Sequence, residues 1–85
     1  MDIIKMNDSE CKSVYTLNTW SDNKKEEVRA LLKQGYWVHL GSSCIGHTMA
    51  RFVEADGIKW VEEEYGDSVD VALRDGWGFA YVRLR

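Results

Sequence analysis

Two stretches of the chain share one local pattern, an amphipathic run followed by a basic residue, a polar residue, a glycine and aromatic residues. Residues 28–38 read VRALLKQGYWV and residues 69–79 read VDVALRDGWGF. Glycine readily adopts the left-handed conformation that ends helices, and aromatic residues favour strands. Each stretch is therefore predicted to be a helix that ends at its glycine, Gly35 or Gly76, and is followed by a strand.

The clearest long-range pattern lies between these two stretches. Two β-rich runs within residues 47–65 flank Asp56-Gly57, a dipeptide typical of two-residue hairpin turns. A turn at this position would place Val53 opposite Trp60, and it would also pair oppositely charged side chains across the strands. The pattern therefore predicts an antiparallel hairpin. A helix that starts at Ser43 is the alternative for the first of the two runs, because four apolar residues also fit a helical spacing: Ile45, Met49, Phe52 and Val53.

The sequence ARFVEADGIKWVEEE, together with the later DVAL, resembles the hairpin-to-helix part of the BRO amino-terminal domains of phage and viral proteins. The resemblance implies the same hairpin. After the hairpin the chain lacks the spacing that is usual in that family, so the resemblance implies no site residue and no activity.

The remaining segments complete the order β-α-β-β-β-α-β. Residues 13–19 and 77–84 favour strands, residues 23–34 favour a helix, and residues 1–12 form either a first strand or a frayed arm. A second, short helix is expected to begin at residue 67 or 68. The predicted fold class is α+β, with a single, mainly antiparallel sheet of four to five strands and two helices packed on one face. The chain contains no proline and no linker, so residues 1–85 are expected to form a single domain.

Length and composition limit the classes of function. A chain of 85 residues can build one core and one binding surface, with little room for an enclosed active site. The two cysteines, Cys11 and Cys44, are too far apart in the sequence to suggest a disulfide framework, and no apolar run is long enough to cross a membrane. A cytoplasmic protein is therefore expected.

Cys44 and His47 lie in a loop of small residues and are the candidates for catalysis or metal binding. A cysteine nucleophile needs a base and oxyanion donors, and tetrahedral zinc needs four ligands, normally supplied as two close pairs. The chain offers one such pair, with His39 and Cys11 as remote additions. Small-residue loops and single cysteines are usually structural, so no catalytic residue, no metal and no cofactor is predicted.

The charge is distributed unevenly along the chain. Residues 54–75 contain eight acidic and two basic residues, so this segment carries a charge of −6 and the rest of the chain carries +3. A surface of this kind can steer a basic partner, although a solvated acidic rim that keeps a small protein soluble is the alternative. The predicted binding residues are four acidic and two aromatic side chains: Glu63, Glu64, Asp67, Asp70, Trp37 and Trp77.

The leading hypothesis is a non-enzymatic module that binds another protein. Its acidic segment would cover a basic, nucleic-acid-binding surface of a host or defence protein, as small inhibitors from phages and mobile elements do. The alternative is a sheet that binds nucleic acid through strand aromatics such as Phe79 and Tyr81, which a net charge of −3 disfavours. A small Cys/His enzyme or zinc site is the least favoured hypothesis. The exposed edges of a small sheet also allow a homo-oligomer.

Overall fold

The computed structural model describes residues 1–43 and 46–85, with His47 described by its backbone alone. The strands are β1 (Asp2–Ile4), β2 (Cys11–Thr16), β3 (Trp37–Ser42), β4 (Val69–Arg74) and β5 (Ala80–Leu84), and the helices are α1 (Asp22–Lys33) and α2 (His47–Tyr65). The described strands form one five-stranded sheet in the order β1-β4-β5-β3-β2. Parallel pairing joins β1 to β4 and β2 to β3, whereas β5 runs antiparallel between β4 and β3.

The first helix-glycine-strand unit forms as predicted. The Ser21 hydroxyl caps α1 by accepting a hydrogen bond from the backbone N–H of Lys24. Val28 and Leu32 lie one turn apart and are buried against the sheet. Gly35 then follows with a φ of 88°, the left-handed conformation that ends a helix, and the chain continues into β3.

The second unit does not form, because residues 69–74 are strand β4 rather than a helix. β4 is hydrogen-bonded to a neighbouring strand on each side, β1 and β5. Six residues make a full strand but fewer than two turns of helix, so long-range pairing outweighs the local helical spacing. Gly76 still has a positive φ, of 84°, but it lies in the turn between β4 and β5. The helix predicted to begin at residue 67 or 68 is therefore wrong.

The predicted hairpin is also wrong, because residues 47–65 form the continuous helix α2. Val53, Gly57 and Val61 recur every fourth residue and are buried along one side of this helix. Gly57 has no positive φ and forms no turn; its missing side chain instead lets α2 approach the sheet. A Cβ atom added at Gly57 would lie 2.9 Å from the Cβ atom of Leu40 in β3. The helical alternative is the correct one.

Both helices pack on the same face of the sheet, as predicted. The main core contains the helix residues Val28, Leu32 and Val61. Five strand residues complete it: Val14, Val38, Leu40, Val69 and Val82. The α+β class, with a single sheet and two helices on one face, is therefore confirmed. The element order differs from the predicted one, since β1 and β2 come before α1 and a single strand separates the helices.

The opposite face is partly covered by residues 5–10, a segment that we term the strap. Because β1 and β2 lie at opposite edges of the sheet, the strap must cross from one edge to the other. Met6 is buried against Trp37, Ala72 and Tyr81, which places the crossing on the face opposite the helices. The part of this face nearest the carboxyl end of β3 lies beyond Met6 and contains a groove.

Candidate functional site

The groove has a volume of about 630 Å³ and lies at the carboxyl end of β3. β3 and β5 pair at two positions, Val38–Val82 and His39–Tyr81. Beyond His39, β3 is no longer paired with β5, and residues of α2 line the groove. The carboxyl ends of parallel strands are a common location for ligand sites in α/β sheets. The lining residues come from β2, β3, α2 and the segment before β5: Tyr15, His39, Gly41, Ser42, Ala50, Arg51, Glu54, Gly78 and Phe79.

His39 lies at the base of the groove, with 7% of its surface exposed. Its Nδ1 atom is 3.2 Å from the carbonyl oxygen of Ala80 and 3.9 Å from Oε2 of Glu54. A carbonyl oxygen can only accept, so Nδ1 is the nitrogen that carries the proton in this contact. In the neutral ring Nε2 is then an acceptor, and it makes no hydrogen bond with any residue that the structure describes.

Glu54 reaches the same place from the first half of α2. Its Oε2 atom lies 3.9 Å from Nδ1 of His39. Burial raises the pKa of the Glu54 carboxyl, while the nearby His39 and the backbone of Ala80 act in the opposite direction. His39 therefore holds the C=O of Ala80, and Glu54 lies beside His39 at the point where β5 begins.

Two exposed aromatic rings flank His39. Tyr15 is 52% exposed and meets the imidazole edge-on at a ring-centre distance of 6.2 Å, and Phe79 is 45% exposed with its ring centre 4.9 Å away. A Cβ atom at Gly41 would lie 2.6 Å from Cε1 of Tyr15, so this glycine lets the tyrosine ring lie over the backbone of β3. The groove consequently combines exposed ring surface with a polar base.

Arg51 is the cation of the groove. It is exposed, and among the described residues it has no hydrogen-bond or ion-pair partner. In contrast, Arg29, Arg74 and Arg85 all pair with carboxylates of the chain itself. The Arg51 guanidinium is therefore available to an external anion.

A second surface runs along the solvent side of α2. Five exposed residues follow one another at intervals of three or four positions and so share one side of the helix; we term them the outer helix surface: Met49, Phe52, Asp56, Lys59 and Glu63. Phe52 is 66% exposed. Asp56 and Glu63 form no ion pair within the described part of the chain. A hollow of about 330 Å³ adjoins this surface and is lined by the indoles of Trp20 and Trp60.

The acidic residues predicted to bind a partner are divided between several places. Glu63 belongs to the outer helix surface, whereas Glu64 points toward α1 and accepts two hydrogen bonds of 2.6 Å from Arg29. Asp70 pairs with Arg85 at 2.7 Å, and Asp67 is exposed near the same arginine. Glu64 and Asp70 are therefore engaged in ion pairs within the chain, and the role of all four residues in binding stays a prediction.

The two aromatic candidates differ in exposure. Trp37 is buried in the sheet face that the strap crosses, with the guanidinium carbon of Arg83 4.3 Å from its ring centre. Trp77 is exposed in the turn between β4 and β5, where Arg74 lies 4.9 Å from its ring centre. Trp77 is consequently the accessible member of the pair, and it is not part of the groove or of the outer helix surface.

Cys44 and His47 are the sequence candidates for catalysis or metal binding. Cys44 and the side chain of His47 lie outside the part of the chain that the structure describes. Within the described part of the chain, no group of three or more His, Cys, Asp or Glu residues could hold a metal ion. Cys11 packs against Met6, and burial raises the pKa of its thiol.

None of the described helices has the length and apolarity needed to cross a membrane.

Sequence reasoning missed the groove because its residues come from four distant segments. In the predicted hairpin, Glu54 would be one of the charged residues paired across the strands, opposite Lys59. On a helix, Arg51 and Glu54 instead lie one turn apart, and both reach the groove. That spacing was the one available signal. His39 was recognised only as a remote metal ligand, and Phe79 only as one of several strand aromatics.

No family model, curated protein or solved structure matches the chain. Of the sequence that resembles the BRO amino-terminal domains, residues 50–64 lie in the helix α2 and residues 70–73 lie in β4. The hairpin implied by that resemblance is therefore absent from these described residues. The function is therefore inferred from the surfaces themselves.

Proposed function

We propose that the protein is a non-catalytic module that binds a basic protein through the outer helix surface. The observation that carries this proposal is the exposure of Phe52, at 66%, beside acidic side chains with no partner in the described chain. An apolar residue flanked by polar ones is the usual arrangement of a binding contact. A partner with an apolar pocket and a basic rim would complement it.

The apolar part of the contact lies in the first half of α2. Phe52 and Met49 are three residues apart on one side of the helix, and both are exposed. Burial of such side chains against a partner removes apolar surface from water, and large side chains of this kind often dominate the free energy of binding. Trp20 and Trp60 line the adjoining hollow and offer further apolar surface.

The charged part of the contact lies in the second half of α2. Three exposed carboxylates, those of Asp56, Glu62 and Glu63, accompany the single ammonium group of Lys59. None of the three carboxylates is paired within the described residues, whereas Glu64 and Asp70 are used in internal ion pairs. Unpaired surface carboxylates accelerate the association of a basic partner and select against acidic ones.

A module of this kind can cover the basic surface with which another protein binds nucleic acid. The proposal therefore retains an inhibitor role, against a host or defence protein in the cytoplasm. The alternative of a nucleic-acid-binding array of strand aromatics is less favoured, because Trp37 and Tyr81 are buried rather than available for stacking.

The test is to capture the partner from an extract of the source cells and then to measure its affinity for purified variants. Phe52→Ser should weaken binding about tenfold or more, since it removes the central apolar contact. Replacing both Glu62 and Glu63 with lysine should slow association and reduce its dependence on salt. Phe79→Ser, which changes another exposed phenylalanine, is the matched control and should bind as the unmodified protein does.

Unchanged affinity of the Phe52→Ser variant for a captured partner would contradict the proposal. Loss of affinity in both phenylalanine variants would show that the contact is not confined to the outer helix surface.

A further inference from the structure

We infer that the groove at the carboxyl end of β3 binds a purine mononucleotide, with the base against its aromatic walls and the phosphate on Arg51. This site is separate from the outer helix surface, since the two share no residue. The inference therefore does not depend on the proposed protein partner.

The shape of the groove suits a ligand of this size. Its volume of about 630 Å³ lies within the range of roughly 300 to 1,000 Å³ that is typical of small-molecule sites. Three small residues leave this space open, namely Gly41, Ala50 and Gly78. The groove is formed by β2, β3, α2 and the start of β5, so its walls are held by secondary structure rather than by one loop.

The walls favour a flat ring. Tyr15 and Phe79 present about half of their surface to solvent on either side of His39. Stacking on exposed aromatic side chains is a general way to bind nucleobases, because every base has an aromatic face. An aliphatic ligand would leave this ring surface without a matching partner.

The hydrogen-bonding groups at the base of the groove are acceptors. Nε2 of His39 has no partner among the described residues, and the two carboxylate oxygens of Glu54, one of which lies 3.9 Å from Nδ1 of His39, are further acceptors. A ligand must therefore bring N–H donors to this end. Guanine offers a ring N–H and an exocyclic amine on one edge, and adenine offers an exocyclic amine.

The group at the rim is a donor. Arg51 lies one turn before Glu54 on α2, and its guanidinium has donors but no acceptor. Arginine binds phosphate through paired hydrogen bonds. Acceptors at the base and a free cation at the rim thus match a nucleotide that enters base first, with its phosphate outward.

The charge of the protein favours a free nucleotide over a strand. Among the described residues that line the groove, Arg51 is the one cationic side chain, and the chain carries a net charge of −3. Binding of a strand depends on several cations along the phosphate backbone. A single phosphate needs only one.

The test is a titration of isotope-labelled protein with GMP, AMP, guanosine and adenosine, followed by nuclear magnetic resonance. Signals of His39, Tyr15 and Phe79 should shift and saturate with at least one of the nucleotides. For the purine that binds, the nucleotide should bind about tenfold more tightly than its nucleoside, because only the nucleotide has a phosphate. Arg51→Ala should abolish this preference, whereas Lys59→Ala, an exposed cation of the same helix outside the groove, should keep it.

The inference is overturned if no nucleotide produces saturable shifts at millimolar concentration, or if Arg51→Ala retains the preference for the phosphate. A single-stranded pentanucleotide that binds more tightly than the mononucleotide would overturn the assignment to a free nucleotide. Phe52→Ser should bind nucleotide normally, which separates this result from the test of the protein partner.

Discussion

Replacing Gly57 with alanine opposes two effects whose sizes follow from the structure. Alanine is favoured over glycine in a helix interior by about 1 kcal/mol, so the helix alone would gain stability. The added Cβ atom, however, would lie 2.9 Å from Cβ of Leu40 and 3.1 Å from Cε2 of Trp20. These distances are too short, and one of the neighbouring atoms must move.

Neither neighbour moves easily. Leu40 is buried in the main core, and Trp20 is held by a hydrogen bond of 2.9 Å from its Nε1 to the carbonyl oxygen of Val53. Crowding in a packed core typically costs about 1 to 3 kcal/mol, which exceeds the gain in helix propensity. We therefore expect Gly57→Ala to lower the free energy of unfolding by about 1 kcal/mol. For a domain of this size, this loss corresponds to a decrease of about 4 to 8 °C in the melting temperature.

The assay is thermal and urea denaturation followed by circular dichroism. Ala55→Gly, at an exposed position two residues earlier in α2, measures the propensity effect without any crowding and should destabilise by about 1 kcal/mol. A Gly57→Ala protein that is more stable by about 1 kcal/mol would show that propensity acts alone. That result would refute the close approach of α2 to Leu40.

Three further changes test the groove and the strap. Glu54→Gln should raise the free energy of unfolding at neutral pH. Burial raises the pKa of the Glu54 carboxyl in the folded state, so the stability of the unmodified protein falls as the pH rises through this raised pKa. The difference between the two proteins should disappear at acidic pH, where the carboxyl is protonated. Met6→Ala should cost about 2 kcal/mol, since Met6 is the strap residue that is buried against the sheet, and hydrogen exchange of the strap should accelerate; unchanged exchange would contradict that packing. Gly41→Ala should displace the exposed Tyr15 ring with little loss of stability, while nucleotide binding measured by titration weakens; normal binding would exclude a role for that wall.

The parts of the fold that the sequence predicts correctly are those that depend on neighbouring residues. The cap at Ser21, the buried pair Val28 and Leu32, and the glycine that follows are all close in the chain, so their pattern alone predicts α1 and the start of β3. The last strand follows from similar local evidence. Fold class follows from the same elements.

The parts that the sequence does not predict depend on distant residues. In α2, Val53 and Val61 lie on one side of a helix, and apolar residues at such spacings also give plausible partners across a hairpin turn. β4 is a strand because β1 and β5 pair with it, and neither contact is visible locally. The groove depends on the same long-range arrangement, since the strand pairing and α2 bring its walls together.

The most direct test of the outer helix surface is hydroxyl-radical footprinting of the protein alone and in complex with its captured partner. Protection should appear at Met49 and Phe52, which are exposed on α2, while Trp77 and Phe79 remain as reactive as in the free protein. Protection at Trp77 and Phe79 with an unchanged reactivity of Phe52 would contradict the proposal that α2 provides the binding surface.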